Sequence, residues 1–505
     1  MTSLPTTTIG QCYVAGEWSA GQGAQWQRLS PADEQPVWQG QWATTNQTEQ
    51  AIEAAQRAFA SWSETMLEER IAICKSFAHI VGERKEELAT LIAIETGKPL
   101  WEARTEVSAV AAKVANSIDA ILTRRWATTE PSGDYLAVTR YRPHGVMVVL
   151  GPFNLPAHLP GAHIVPALLA GNTVVFKPSE LTPATGQWLV QAWQQAALPA
   201  GVLQLVHGAA DVAIAAAQHP STAGVLFTGS RRVGVSLHKL LAGQPEKVLA
   251  LEIGGNNPLV VHGTDNLRAA AITAIFSAFI TSGQRCTCAR RLIVSGTATY
   301  QRLVEQLQEL IPKIVVGLPL DEIQPFMGPL IHSQAADNML EAQRETVAAG
   351  GELLIEMQRS DRSRALVTPG LIAAARGKSI EDCEHFGPLL TIEPAEDLDD
   401  AIRLANCTQF GLSAGFIGDK VEDFHHVLHH VRAGVINWNR QTTGASGKLP
   451  FGGVGFSGNH QPSGYFAADY CSYPVASLES HTLSDLSDDV PGLGFAVRAS
   501  QLHKD

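Results

Sequence analysis

The 505 residues suit two or three domains at about 150 residues each, enough chain to bury a core without disulfide or metal staples. With 45% hydrophobic and 17% charged residues, the composition is that of a folded globular protein and not a disordered one. The 37 Lys and Arg against 49 Asp and Glu leave a net charge of −12, and the scattered cations exclude nucleic acid or an anionic membrane as the main partner.

In chain order, residues 1–10 carry neither the basic nor the apolar region of a signal peptide. From 42 to 122 the spacing is helical. Thr45 or Asn46 is expected to cap a run through Ala51, Ala54, Ala55 and Phe59, and a longer amphipathic helix passes through Ile71, Cys74, Phe77 and Ile80. The β-prone stretch 135–141 follows the turn signal Pro131-Ser132-Gly133-Asp134 and predicts a hairpin standing off the body between 125 and 144.

Between 145 and 255 short apolar runs at 146–150, 173–176, 202–206, 225–227 and 248–253 alternate with helical stretches up to 169 and at 183–197, 211–218 and 231–241. That alternation predicts a parallel sheet covered on both faces, with ligands bound beyond the carboxyl ends of its strands. A second α/β alternation follows at 292–294, 300–310, 389–392, 414–417 and 435–438. The longest apolar stretch, 269–280, is too short to span a bilayer. A final strand leads into a polar tail with acidic residues at 485–489. The seven cysteines are widely spaced and suit free thiols in a reducing cytoplasm.

Several segments that follow strands could carry chemistry. In Gly283-Gln284-Arg285-Cys286-Thr287-Cys288, Cys286 has arginines at 285, 290 and 291 around it. Cationic neighbours and a helix end depress a thiol pKa from about 8.5 and favour the nucleophilic thiolate; the other possibility is a buried structural cysteine. Cys286 and Cys288 lack the second ligand pair a zinc site needs. Glu252 in Leu251-Glu252-Ile253-Gly254-Gly255 ends a strand at an opening backbone, as a general base or as an edge glutamate meeting water. Asn154, after Gly151-Pro152-Phe153, offers an amide to a developing oxyanion, or is a polar turn residue.

The run Phe227-Thr228-Gly229-Ser230-Arg231-Arg232-Val233-Gly234 passes from strand to helix and points amide N–H groups at an anion. The literal G-x-G-x-x-G at Gly453–Gly458 follows no strand and opens no helix, since Pro462 arrives at once, and Gly377-Lys378-Ser379 lacks the first glycine of a P-loop, because Ile372 takes its place. Lys177-Pro178-Ser179-Glu180 puts an acidic residue where ribose hydroxyls could be accepted. His425, His426, His429 and His430 share a helix, but nothing completes a metal site.

Together, in this order on a doubly wound scaffold, these segments resemble the NAD(P)-dependent aldehyde dehydrogenase superfamily over nearly the whole chain. The resemblance also includes Glu384-His385-Phe386-Gly387-Pro388 and Pro450-Phe451-Gly452-Gly453. Gly254-Gly255-Asn256-Asn257-Pro258 has Asn where most members carry Lys, and Ser457-Gly458-Asn459-His460-Gln461-Pro462-Ser463 replaces Ser-Gly-x-Gly-Arg-Glu. With Asn437-Trp438-Asn439 and Ala467-Ala468-Asp469-Tyr470-Cys471, these are similar to the branch acting on N-succinylglutamate 5-semialdehyde in bacterial arginine catabolism.

The resemblance implies an α/β fold: a Rossmann-type parallel-sheet cofactor domain (1–124 and 145–255), a second α/β catalytic domain (256–465), a small β oligomerisation arm (125–144 and 466–484) and the polar tail (485–505). It implies NAD as cofactor, a small acidic aldehyde as substrate, a homo-oligomer and no metal. Cys286 would be the nucleophile, Asn154 and the Cys286 N–H the oxyanion donors, and Glu252 the base that activates water on the thioester. Lys177 and Glu180 would hold the adenosine ribose. Gly229, Ser230, Arg231, Arg232, Val233 and Gly234 would surround the pyrophosphate, with Phe153 and Phe227 also against the cofactor. Glu384 would take the nicotinamide ribose and Phe386 would pack by the ring. Arg285 and Arg440 are the expected partners of the substrate carboxylates. Glu252 argues against a CoA-acylating enzyme, and Cys286, Glu252 and Asn154 together argue against a structural protein that kept only the fold.

Overall fold

A computed structural model describes residues 7–374 and 382–483; the tail at 485–505 and the Gly377-Lys378-Ser379 run lie outside the described residues. Four helices, Thr45–Glu64, Leu67–Glu83, Lys85–Thr96 and Leu100–Arg124, fill the expected helical region. The first is capped by Thr44, not by Thr45 or Asn46: Thr44 Oγ1 accepts from the Gln47 N–H while Gln47 Oε1 accepts from the Thr44 N–H, both at 3.2 Å. This reciprocal box needs a hydroxyl and a Gln three residues apart, and only Thr44 stands at that distance from Gln47.

The first large sheet has seven strands, in the order Val248–Ile253, Thr222–Gly229, Val146–Leu150, Thr173–Lys177, Leu203–Leu205, Cys12–Val14 and Glu17–Ser19. The first five are mutually parallel. Both faces are covered, so Val146–Leu150 and Thr173–Lys177 are buried along their whole length and read as unbroken apolar runs. Chain order proceeds outward in both directions from Val146–Leu150. That makes its carboxyl end a topological switch point, where such sheets open a crevice. The edge hairpin Cys12–Val14/Glu17–Ser19 escaped the sequence reading. Its turn, Ala15-Gly16, has φ of 54° and 95°, left-handed at both positions but without the Asn-Gly signature.

A second seven-stranded sheet runs Glu352–Ile355, Gly370–Ala373, Leu389–Ala395, Ala289–Ser295, Asn257–Val261, Ser413–Ile417 and Val435–Trp438, parallel except for the first pair. Asn257–Val261, an interior strand next to the central Ala289–Ser295, was not expected because Pro258 sits at its start and demotes a strand signal.

The hairpin Thr128–Ser132/Tyr135–Pro143 forms as expected, and Ser472–Glu479 pairs antiparallel along it from Ser472↔Pro143 to Glu479↔Leu136. These two segments, which the sequence leaves without partners, are partners of each other. Their residues are more than three hundred positions apart, beyond the range of any local pattern. Among the described residues, no helix is long and apolar enough to cross a membrane.

Candidate active site

Cys286 is delivered by a strained turn. The apolar helix Leu267–Phe279 ends, and Thr281, Ser282 and Gly283 follow with φ of 55°, 53° and 72°. Left-handed backbone at a β-branched threonine is costly and persists only where neighbours hold it. Thr281 Oγ1 donates to Glu102 Oε1, and Ser282 Oγ donates to the Gly328 carbonyl at 2.6 Å. A β-carbon on Gly283 would lie 2.1 Å from the Gly387 carbonyl oxygen. Asn257 Nδ2 then bonds the carbonyls of Cys286 and Cys288 at 2.7 and 2.9 Å. Cys286 is left half-buried, and Cys288 is buried with Sγ 3.6 Å from the Ile280 carbonyl.

The expected thiolate is not what the surroundings favour. Burial pushes the Cys286 thiol well above its ordinary value, and the charges of Glu384 and Glu252 push the same way. The arginines that suggested the opposite have other partners. Arg285 Nη2 bonds Glu102 Oε1 at 2.8 Å and its Nε bonds Thr281 Oγ1 at 2.7 Å. Arg290 donates to the carbonyls of Gly283, Arg285 and Gly387, and Arg291 to those of Asn256, Leu404 and Ala405.

Asn154 stands just past the switch-point strand. A buried ion pair anchors its loop: Lys98 Nζ donates to Glu106 Oε2 at 2.7 Å and to the Asn154 carbonyl at 2.6 Å. Glu106 Oε1 accepts the N–H groups of Ala157 and His158 at 2.9 and 3.2 Å. Asn154 Nδ2 donates to the Gln284 carbonyl at 2.9 Å, which leaves the second hydrogen of that amide for a ligand. Glu252 ends the edge strand Val248–Ile253. Its Oε1 accepts from the Ser463 N–H at 3.4 Å, and its Oε2 is buried without a partner. Burial raises this carboxyl well above its ordinary range.

Two cavities meet at the thiol. The larger, about 550 Å³, lies over the carboxyl ends of the first sheet and is lined by Phe153, Asn154, Glu180, Phe227, Gly229, Ser230, Arg232, Val233, Glu252, Cys286, Glu384 and Phe386. At one wall the helix Arg231–Leu241 begins, capped by Ser230, whose Oγ accepts from the Val233 N–H at 3.4 Å. At the other wall, Glu384 Oε1 accepts the Gly255 N–H at 3.1 Å, and burial lifts its pKa to about 7 against the pull of Arg290. Phe153 and Phe386 meet edge to face at 5.8 Å. The smaller cavity, about 280 Å³, is lined by Glu106, Lys113, Asn116, His158, Arg285, Cys286, Phe451 and Ser463. Leu159 and Cys286 line both.

Comparison with known proteins agrees with this geometry. The aldehyde dehydrogenase family model matches residues 18–474. The chain belongs to the aldehyde dehydrogenase family. It is 47% identical over 483 residues to the N-succinylglutamate 5-semialdehyde dehydrogenase of Serratia proteamaculans, covering 96% of this chain and 99% of the relative. To the Acinetobacter baylyi enzyme of the same name it is 49% identical over 485 residues, covering 95% and 98%. Among solved structures, an NAD-dependent aldehyde dehydrogenase from Sinorhizobium meliloti superimposes with a TM-score of 0.90 at 28% identity, over 95% of this chain and 96% of that one. An indole-3-acetaldehyde dehydrogenase in complex with NAD+ gives 0.89 at 27% identity, over 94% and 97%.

In this aldehyde dehydrogenase the sequence-expected residues Cys286, Glu252, Asn154, Phe153, Glu180, Phe227, Gly229, Ser230, Arg232, Val233, Glu384 and Phe386 all converge on the larger cavity. Lys177 is buried and does not line it, but its Nζ lies 3.5 Å from Oε2 of Glu180, which does. Two expected cofactor residues face elsewhere. The Arg231 guanidinium stacks 3.8 Å over the Phe456 ring, and Gly234 serves helix packing, since a β-carbon there would lie 2.5 Å from Ile253 Cδ1. The substrate arginines fare differently. Arg285 lines the smaller cavity but is bound to Glu102, whereas Arg440 is exposed and lines neither cavity. Lys98, Glu106, Lys113 and His158 were missed: Lys98 lies in the turn between two helices, Glu106 and Lys113 lie on the amphipathic helix Leu100–Arg124, and His158 opens the apolar helix His158–Ala170, so no local motif marks any of them. The literal G-x-G-x-x-G run helps wall Glu252: Ser457 Oγ donates to the Gly254 carbonyl at 2.8 Å. His426 bonds Asp399, and no metal-ligand cluster occurs among the described residues.

Proposed function

We propose that this chain oxidises N-succinylglutamate 5-semialdehyde to N-succinylglutamate with NAD+, a reaction of arginine catabolism. The observation that carries the chemistry is the meeting of two cavities at Cys286. One has the size and lining of a dinucleotide pocket, and the other is small and polar. The residues present fit the cofactor. A Ser-capped helix start presents N–H groups to a pyrophosphate, Glu180 over Lys177 and Glu384 against Gly255 are carboxylates for two riboses, and Phe386 offers a ring face. Bound there, the nicotinamide would supply the hydride acceptor.

The chain's own residues do the rest. The Cys286 thiol releases its proton to solvent and its Sγ attacks the aldehyde carbon to give a thiohemiacetal. The spare Asn154 amide hydrogen and the Cys286 N–H hold its oxyanion, donors worth roughly 3 kcal/mol each in such sites. After oxidation the acyl group is a thioester on Cys286. Glu252, whose burial makes its carboxylate a stronger base, takes the proton from the water that attacks it. The substrate assignment rests on the relatives that share almost half of their residues with this chain over nearly its full length. We take residues 1–124 and 145–255 as the cofactor domain and 256–465 as the catalytic domain, in a cytoplasmic homo-oligomer joined through the three-stranded sheet.

The test is a comparison of kcat/KM for N-succinylglutamate semialdehyde, acetaldehyde and betaine aldehyde, with NAD+, and with and without CoA. A preference for the succinylated aldehyde, yielding the free acid whether or not CoA is present, is expected. Preference for either small aldehyde overturns the substrate, and an acyl-CoA product overturns the hydrolytic step.

A further inference from the structure

The smaller cavity contains an unbalanced charge. Glu106, Arg285 and Lys113 are its charged lining residues. Two of them are neutralised within the protein: Glu106 by Lys98 at 2.7 Å, and Arg285 by Glu102 at 2.8 Å. Lys113 is only 3% exposed, and its Nζ donates to the Gly464 carbonyl at 2.7 Å. No carboxylate pairs with it among the described residues. An ammonium has three donors, and a buried charge without a counter-ion is expensive unless something else supplies one. Beside it on the same cavity is His158, whose Nδ1 is buried and has no hydrogen-bond partner. Lys113 and His158 thus both line one small space that reaches Cys286.

We propose that Lys113 is the specificity residue that binds a carboxylate of the aldehyde substrate, with His158 beside it on the same cavity wall. The inference rests on the reading that the substrate is an acidic semialdehyde, and it names the group that would select it. Arg285, committed to Glu102, shapes the cavity without supplying net charge, and Arg440 lies outside it. The titration of the two groups agrees. Burial lowers Lys113 to about 8, and burial together with the charges of Lys113, Arg285 and Lys98 lowers His158 to about 4. At neutral pH the wall therefore carries one positive charge and one neutral imidazole. An acidic aldehyde gains from that charge, an uncharged one does not, and a cationic one is repelled.

Lys113 could instead be a strut. It holds Gly464, next to the Ser463 N–H that meets Glu252. The experiment separates the roles by selectivity, not by activity alone. Wild type, Lys113→Met and Lys113→Arg are compared with N-succinylglutamate semialdehyde and with an uncharged aliphatic aldehyde. For an anchor, the ratio of kcat/KM for acidic over uncharged aldehyde falls tenfold or more in Lys113→Met, chiefly through KM, and Lys113→Arg recovers part of it. A strut loses both substrates alike, and an unchanged ratio overturns the proposal. Should Lys113→Met not fold, the wild-type pH profile decides. kcat/KM reports the free enzyme, so the ratio falls as pH rises through about 8, where Lys113 loses its charge; a ratio flat across that range overturns the anchor. If wild type shows no preference for the acidic aldehyde at any pH, the substrate reading falls and the anchor with it. If the preference exists and survives in Lys113→Met, the anchor alone falls.

Discussion

Glu384 occupies the space that a side chain on Gly254 would need: a β-carbon there would lie 1.7 Å from Glu384 Oε2 and 2.3 Å from its Cδ. The glycine is what lets the carboxylate close over the strand end and accept the Gly255 N–H at 3.1 Å. Gly254→Ala should therefore expel Glu384 and weaken NAD binding by about tenfold, or roughly 1.4 kcal/mol, measured by fluorescence titration. The carboxylate has a pKa of about 7, so it is ionised, and the better acceptor for ribose hydroxyls, above that pH. NAD affinity should rise from pH 6 to pH 8, and Glu384→Gln should flatten that rise.

Cys286 lines both cavities while Cys288 points Sγ at the Ile280 carbonyl. Replacing Cys286 with Ala should abolish NADH production and esterase activity while largely preserving NAD affinity, and Cys288→Ala should retain both activities. A dead Cys288 variant would move the nucleophile. Because burial raises the Cys286 thiol, its thiolate fraction should still be increasing above about pH 9. Iodoacetamide labelling without NAD should therefore climb through that range without a plateau.

Glu252 has one carboxylate oxygen without a partner and lines the same cavity as Cys286. Glu252→Gln keeps the shape and removes the proposed base. A pre-steady-state trace should show a burst of about one NADH per site, followed by a stall at the thioester. A trace with no burst would place Glu252 in an earlier step.

The three-stranded sheet presents Tyr135, Tyr473 and Leu478 at 42%, 41% and 71% exposure, and among the described residues its outer strands Thr128–Ser132 and Ser472–Glu479 have unpaired edges. Open edges with apolar side chains invite another chain. Sedimentation should find a dimer or larger assembly, shifted toward monomer by Leu478→Asp. A stable, active wild-type monomer would refute the oligomer.

Much of this was legible in local pattern. Val248–Ile253, Arg231–Leu241 and Val435–Trp438 run where their hydrophobic spacing says, because a strand buried on both faces and an amphipathic helix each leave a short-range signature. Cys286, Glu252 and Asn154 could be named because each sits at or just past an element end in a readable motif. What the motifs could not disclose was each group's electrostatic state. Three nearby arginines suggested a thiolate, yet Arg285 finds Glu102, which lies 183 positions away. Lys98 reaches the Asn154 carbonyl across 56 positions, and Lys113 becomes a buried cation only where its helix meets Gly464, 351 positions on. Backbone pattern is set by neighbours a few residues apart, so the chain order of the fold and the candidates for the reactive groups belong to the sequence. Charge, burial and pairing depend on which distant segments the packing brings within a few ångströms, and those the tertiary structure alone decides.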